Sequence, residues 1–84
     1  MQHELSDDRH EHDVAETWDA GERSCGELIL ELRQRVGQLL PGQVFCLITR
    51  DSGAVLDVAA WCRITGHKLD AAEPPRYYIR RRDR

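Results

Sequence analysis

The sequence predicts an α/β (α+β) two-layer sandwich of order β-α-β-α-β-β, with two helices packed on one face of a four-stranded mixed sheet. Three observations predict it. Two segments repeat apolar residues at helical spacing. A run between them, Val44 to Ile48, is apolar on both faces. Pro74-Pro75 then divides the C-terminal segment into two short strand-like pieces. Two amphipathic helices need an apolar surface to cover, and a four-stranded sheet offers one.

Each element follows from its residues. Val14 to Trp18 makes a short first strand. Gly21 to Ser24 is a loop, and Cys25 stands at its end. From Gly26 onward, Leu28, Ile29, Leu32, Val36, Leu39 and Leu40 recur at helical spacing. That is a helix of about three turns, ended by Pro41-Gly42. Glu27 and Glu31 lie toward its positive end, and Arg33 and Arg35 lie later, as the macrodipole favours. Gln43 to Thr49 reads as a central strand. Asp51-Ser52-Gly53 is a turn. Val55, Val58, Ala59 and Cys62 fall on one face of a second helix, and Gly66 suits its C-terminal cap. His67 to Ala72 and Arg76 to Arg81 make the last two strands.

The chain has 84 residues, 40% of them hydrophobic and 32% charged, with a net charge of −3. That length allows one domain. Its core is too small for a deep cavity around an organic cofactor. No apolar run approaches the ~18 residues of a membrane span, and the polar, acidic start does not resemble a signal peptide. A soluble, cytoplasmic monomer is expected. Charge is uneven: residues 1–13 carry five acids and one base, with only Met1 and Leu5 as apolar content. Residues 1–12 are therefore expected to be a disordered acidic tail, residues 13–82 the single domain, and 83–84 a basic end. His3, His10 and His12 lack the fixed geometry a metal site requires. No metal or organic cofactor is expected.

The three cysteines, Cys25, Cys46 and Cys62, include no C-x-x-C pair, and an odd count leaves at least one outside any internal disulfide. Phosphate-binding, dinucleotide-binding, zinc-protease and serine-hydrolase signatures are absent. Cys46 and Cys62 lie in apolar patterns and read as core. Trp18 and Trp61 read as core or rim packing, and His67 as a strand-edge histidine. Cys25 differs by position, directly after a loop and before a helix. The unpaired N–H groups and dipole there stabilise a thiolate. On position alone, Cys25 is either a reactive thiol or a small residue that starts a helix.

Four segments then resemble a known family. They are Trp18-Asp19-Ala20 leading to Cys25, Leu40-Pro41-Gly42-Gln43-Val44, Asp51-Ser52-Gly53-Ala54, and Asp57-Val58-Ala59-Ala60-Trp61-Cys62-Arg63-Ile64-Thr65-Gly66-His67-Lys68-Leu69. The ending Tyr77-Tyr78-Ile79-Arg80-Arg81 matches a last strand. Over about residues 14–82 the chain resembles the TusA-like (SirA-like) sulfur carriers. That resemblance implies a βαβαββ sandwich and a persulfide carried on Cys25. It also implies a sulfur-donor and a sulfur-acceptor protein, with the residues beside the cysteine, Arg23, Gly26 and Glu27, touching the partner. Outlets in the family include tRNA thiolation and oxidative sulfur metabolism. The family signature Cys-Pro-x-Pro is here Cys25-Gly26-Glu27-Leu28, with both prolines replaced. A reading from another class is a non-catalytic binding or regulatory module. It would contact RNA or an acidic protein through the basic segment Arg76–Arg84.

Overall fold

The computed structural model describes residues 13–83. The acidic segment 1–12, with its three histidines, and Arg84 lie outside the described residues. The elements are β1 (Val14–Gly21), α1 (Cys25–Gly37), β2 (Val44–Thr49), α2 (Ala54–Thr65), β3 (Lys68–Glu73) and β4 (Arg76–Arg80). The sheet order is β1-β2-β4-β3. β1 and β2 are parallel, and the other pairings are antiparallel. The expected two-layer mixed sandwich is the observed fold.

The core lies between the sheet and both helices. Phe45 and Leu47 of β2, Tyr77 and Ile79 of β4, and Trp18 and Ala20 of β1 meet Leu28, Leu32 and Val36 of α1 and Ala54, Val58, Trp61 and Cys62 of α2. Successive strand residues point to opposite faces, so Cys46 lies on the sheet face away from the helices. It is nevertheless buried, beside Tyr78 and Thr17.

The structure corrects several boundaries. β1 continues three residues past Trp18, to Gly21. α1 starts at Cys25 itself and stops at Gly37, before Pro41. The N–H groups of Gln38 and Leu39 donate to the carbonyls of Arg35 and Val36, which tightens the last turn. Leu39 is still buried, but Leu40 is exposed. Pro41 disfavours helical angles at the residue before it, and Gly37 is a poor helix former, so the helix yields before the proline.

In α2, Val55 is exposed and Ala54 takes its place on the buried line. Ala54 to Leu56 and Val58 to Trp61 are apolar nearly all round, so spacing alone did not select the face. β4, despite the arginines at both its ends, is an interior strand between β2 and β3. Its alternation puts Tyr77 and Ile79 in the core, which is why it sits inside the sheet.

Candidate functional site at the helix N-termini

Parallel pairing of β1 with β2 places their C-terminal ends together, with Gly21 opposite Thr49. Each strand leads through a short loop into a helix, so α1 and α2 begin at the same end of the sheet. The β3–β4 turn joins them there, because the Thr49 N–H donates to the Pro75 carbonyl at 2.9 Å. Cys25 opens α1 at this end.

Ser24 is the N-cap, in an extended conformation, and makes no side-chain cap hydrogen bond. Its carbonyl accepts from the Leu28 N–H at 2.8 Å. The first-turn amides therefore receive nothing from the cap side chain and remain available to a negative charge. Gly53 caps α2, again without a side-chain bond. Two positive helix ends thus converge on one end of the molecule.

The loop before Cys25 is fastened by Arg23. Its guanidinium lies 5.4 Å from the centre of the Trp18 ring and donates to the Ala20 carbonyl at 3.2 Å. The Arg23 N–H also donates to Ala20, at 3.2 Å. Arg35 lies 4.6 Å from the centre of the same ring, and Glu31 and Glu16 hold it at 2.7 and 3.2 Å. Such contacts are favoured by the ring quadrupole. Sequence reasoning assigned Trp18 to packing but missed that its ring organises two arginines. Glu27 is exposed in the first turn of α1. At Gly26 a Cβ would meet nothing within 4 Å. Arg23, Gly26 and Glu27 thus flank Cys25 closely in sequence and at one end of the fold.

The other two cysteines are both buried. Cys62 is buried, and desolvation pushes its pKa up to about 11. Burial also raises the Cys46 pKa, partly opposed by the Arg76 charge and by hydrogen bonds to Tyr78 and Thr17. Neither is an accessible thiolate at neutral pH. Among the described residues, no group of three or more His, Cys, Asp or Glu side chains could hold a metal ion.

The basic C-terminal segment is divided by the fold. Arg76 and Arg80 alternate with the buried Tyr77 and Ile79. Asp70 holds Arg80 at 2.6 Å. Arg81 and Arg82 instead turn toward the C-terminal ends of the helices and donate to the carbonyls of Leu39 and Thr65. Tyr77, the first tyrosine of this segment, is buried, so its ring is not open to a base. His67 is not in a strand but in the link before β3, where its Nδ1 accepts from the Arg82 N–H at 3.0 Å.

A two-layer βαβαββ sandwich is the fold expected of the small sulfur carriers that the sequence resembles. The family model described as sulfurtransferase TusA matches residues 16–81, and the chain belongs to that family. A protein of Neisseria meningitidis serogroup A, whose name makes it a candidate sulfur carrier, is 38% identical over 60 residues. The match spans 70% of this chain and 81% of that protein. A serogroup B protein of the same description matches to the same extent. The chain is thus a sulfur carrier of the TusA family, and that role implies donor and acceptor proteins. Among the described residues, no helix is long and apolar enough to cross a membrane.

Proposed function

We propose that Cys25 carries sulfane sulfur as a persulfide and relays it between two protein thiols. In loading, the Cys25 thiolate attacks the outer sulfur of a donor persulfide. A Cys25 S–S bond forms, the donor S–S bond breaks, and the donor thiolate leaves. In unloading, an acceptor thiolate attacks the outer sulfur on Cys25, and the Cys25 thiolate is released. Each step is thiol exchange without net redox change, and it requires access and thiolate character. The chemistry as written needs neither metal nor organic cofactor.

The observation that carries this reading is the contrast among the cysteines. Cys46 and Cys62 are buried with raised pKa values, whereas Cys25 opens a helix whose cap side chain leaves the first amides unclaimed. In this reading Arg23, Gly26 and Glu27 meet the partner, and the protein works as a cytoplasmic monomer.

Intact-mass measurement after exposure to polysulfide, followed by peptide mapping, tests the assignment. The expected result is a gain of one sulfur atom on Cys25, abolished in Cys25→Ser. Loading of Cys46 or Cys62 in the folded protein would show the assignment to be wrong.

A further inference from the structure

An open groove of about 550 Å³ runs between α1, from its second turn to its end, and the C-terminal part of α2. Its apolar side chains include Ile29 and Leu30 of α1 and Ile64 of α2. Leu30 is 65% and Ile64 83% exposed, so the fold leaves both uncovered. Three arginines line the same groove, Arg33, Arg81 and Arg82, and among the described residues no acid does. Arg33 has no hydrogen bond or ion pair among the described residues, and the buried Nε of Arg81 has no hydrogen-bond partner among them. Exposed apolar residues rimmed by charge of one sign mark an interaction surface.

The position of the groove relates it to the thiol site. Ile29 lies four residues, about one helical turn, after Cys25. The groove therefore starts one turn beyond the α1 N-terminus and leads away from it. A chain segment lying along it would bring its parent protein up to Cys25.

We propose that this groove docks an acidic segment bearing leucine-like side chains, on the protein that exchanges sulfur with Cys25. The proposal rests on the relay reading above. Charge complementarity selects an acidic occupant, and Leu30 and Ile64 select apolar side chains within it. Nucleic acid fits less well. Among the described residues, the aromatic rings lining the groove are Trp61, only 9% exposed, and the partly buried His67, tilted against it. No open stacking face is offered to bases.

The test uses the full chain labelled with ¹⁵N and a synthetic peptide, acetyl-Glu-Leu-Glu-Glu-Leu-Leu-Glu-Glu-Leu-amide. Titration should shift the amides of Leu30, Arg33, Ile64 and His67, and binding should weaken with salt. Arg33→Glu and Ile64→Ser, both at exposed positions, should each weaken binding by roughly tenfold. A peptide with lysine in place of glutamate should leave the spectrum unchanged. Shifts confined to other surfaces, equal binding of the lysine peptide, or no shift at all would overturn the proposal. Stronger response to an oligouridylate would assign the groove to RNA. Displacement of resonances from residues 1–12 by the peptide would assign it to the chain's own acidic segment. Cys25→Ser should bind the peptide unchanged. A failed relay therefore registers in the mass measurement, and a failed groove only here.

Discussion

At the scale of single residues, His67 shows how a small fold makes one side chain depend on its charge state. Its Nδ1 accepts the Arg82 N–H, so the neutral ring carries its proton on Nε2. Its centroid lies 5.2 Å from that of Trp61. Burial lowers its pKa from the ordinary 6.5, and the charges of Arg82 and Arg81 lower it further. The unfolded chain therefore takes up the proton first as pH falls, and stability rises with pH through that window. The contribution is complete above about pH 6.5 and is lost as pH drops through the folded value. In His67→Gln an amide oxygen can accept the same N–H without titrating. Thermal melts between pH 8 and pH 5 should show a steeper acid-side loss in the natural protein than in His67→Gln. Parallel curves would mean that His67 titrates alike in both states.

At the scale of elements, the ends of α1 and α2 use glycine in opposite ways. Gly66 ends α2 in the left-handed region at φ 89°, and its N–H donates to the Cys62 carbonyl. Gly66→Ala should cost about 1–2 kcal/mol, the left-handed penalty for a side chain. Gly26 lies in the first turn of α1, outside the left-handed region and with open space where a Cβ would go. Gly26→Ala should therefore stabilise by about 0.4–1 kcal/mol, by restricting the unfolded chain. Gly26→Pro should fall below Gly26→Ala in chemical denaturation. Proline disfavours helical angles at the residue before it, and that residue, Cys25, is the first of the helix. If proline matches alanine, the helix starts at Gly26 instead. The replaced proline of the family signature thus has a physical consequence: glycine leaves Cys25 free to join the helix. Helix existence was legible in the sequence because Leu28, Leu32 and Val36 repeat without ambiguity. The end of α1 was not, because Leu39 and Leu40 continue the pattern beyond the last helical turn. Leu39 does reach the core, but from the link that follows the helix. The start of α1 at or beside Cys25 was legible from the loop that precedes it. The groove was not, because it joins Leu30, Ile64 and Arg82, which only the packed fold brings together.

At the scale of the whole molecule, stability is concentrated in the two interior strands. β2 pairs with both β1 and β4, and β4 with both β2 and β3. β2 also contributes Phe45 and Leu47 to the core, and β4 contributes Tyr77 and Ile79. β3 has no fully buried residue and touches the core mainly through the partly buried Leu69. Its pairing with β4 is irregular around Asp70, the residue that holds Arg80. An 84-residue chain of ordinary stability has only about 4–12 kcal/mol to lose. Phe45→Ala removes a fully buried ring where β2 faces both helices, a change that typically costs about 3–5 kcal/mol. Native-state hydrogen exchange should therefore find the slowest amides in β2 and β4, opening only with global unfolding. Those of β3 should exchange through a smaller local opening. Phe45→Ala should accelerate the β2 and β4 amides together, by the full loss of stability. The β3 amides should change less, because their opening does not expose Phe45. Equal protection across all four strands would mean that the sheet opens as one unit and that the edge pairing is as secure as the centre.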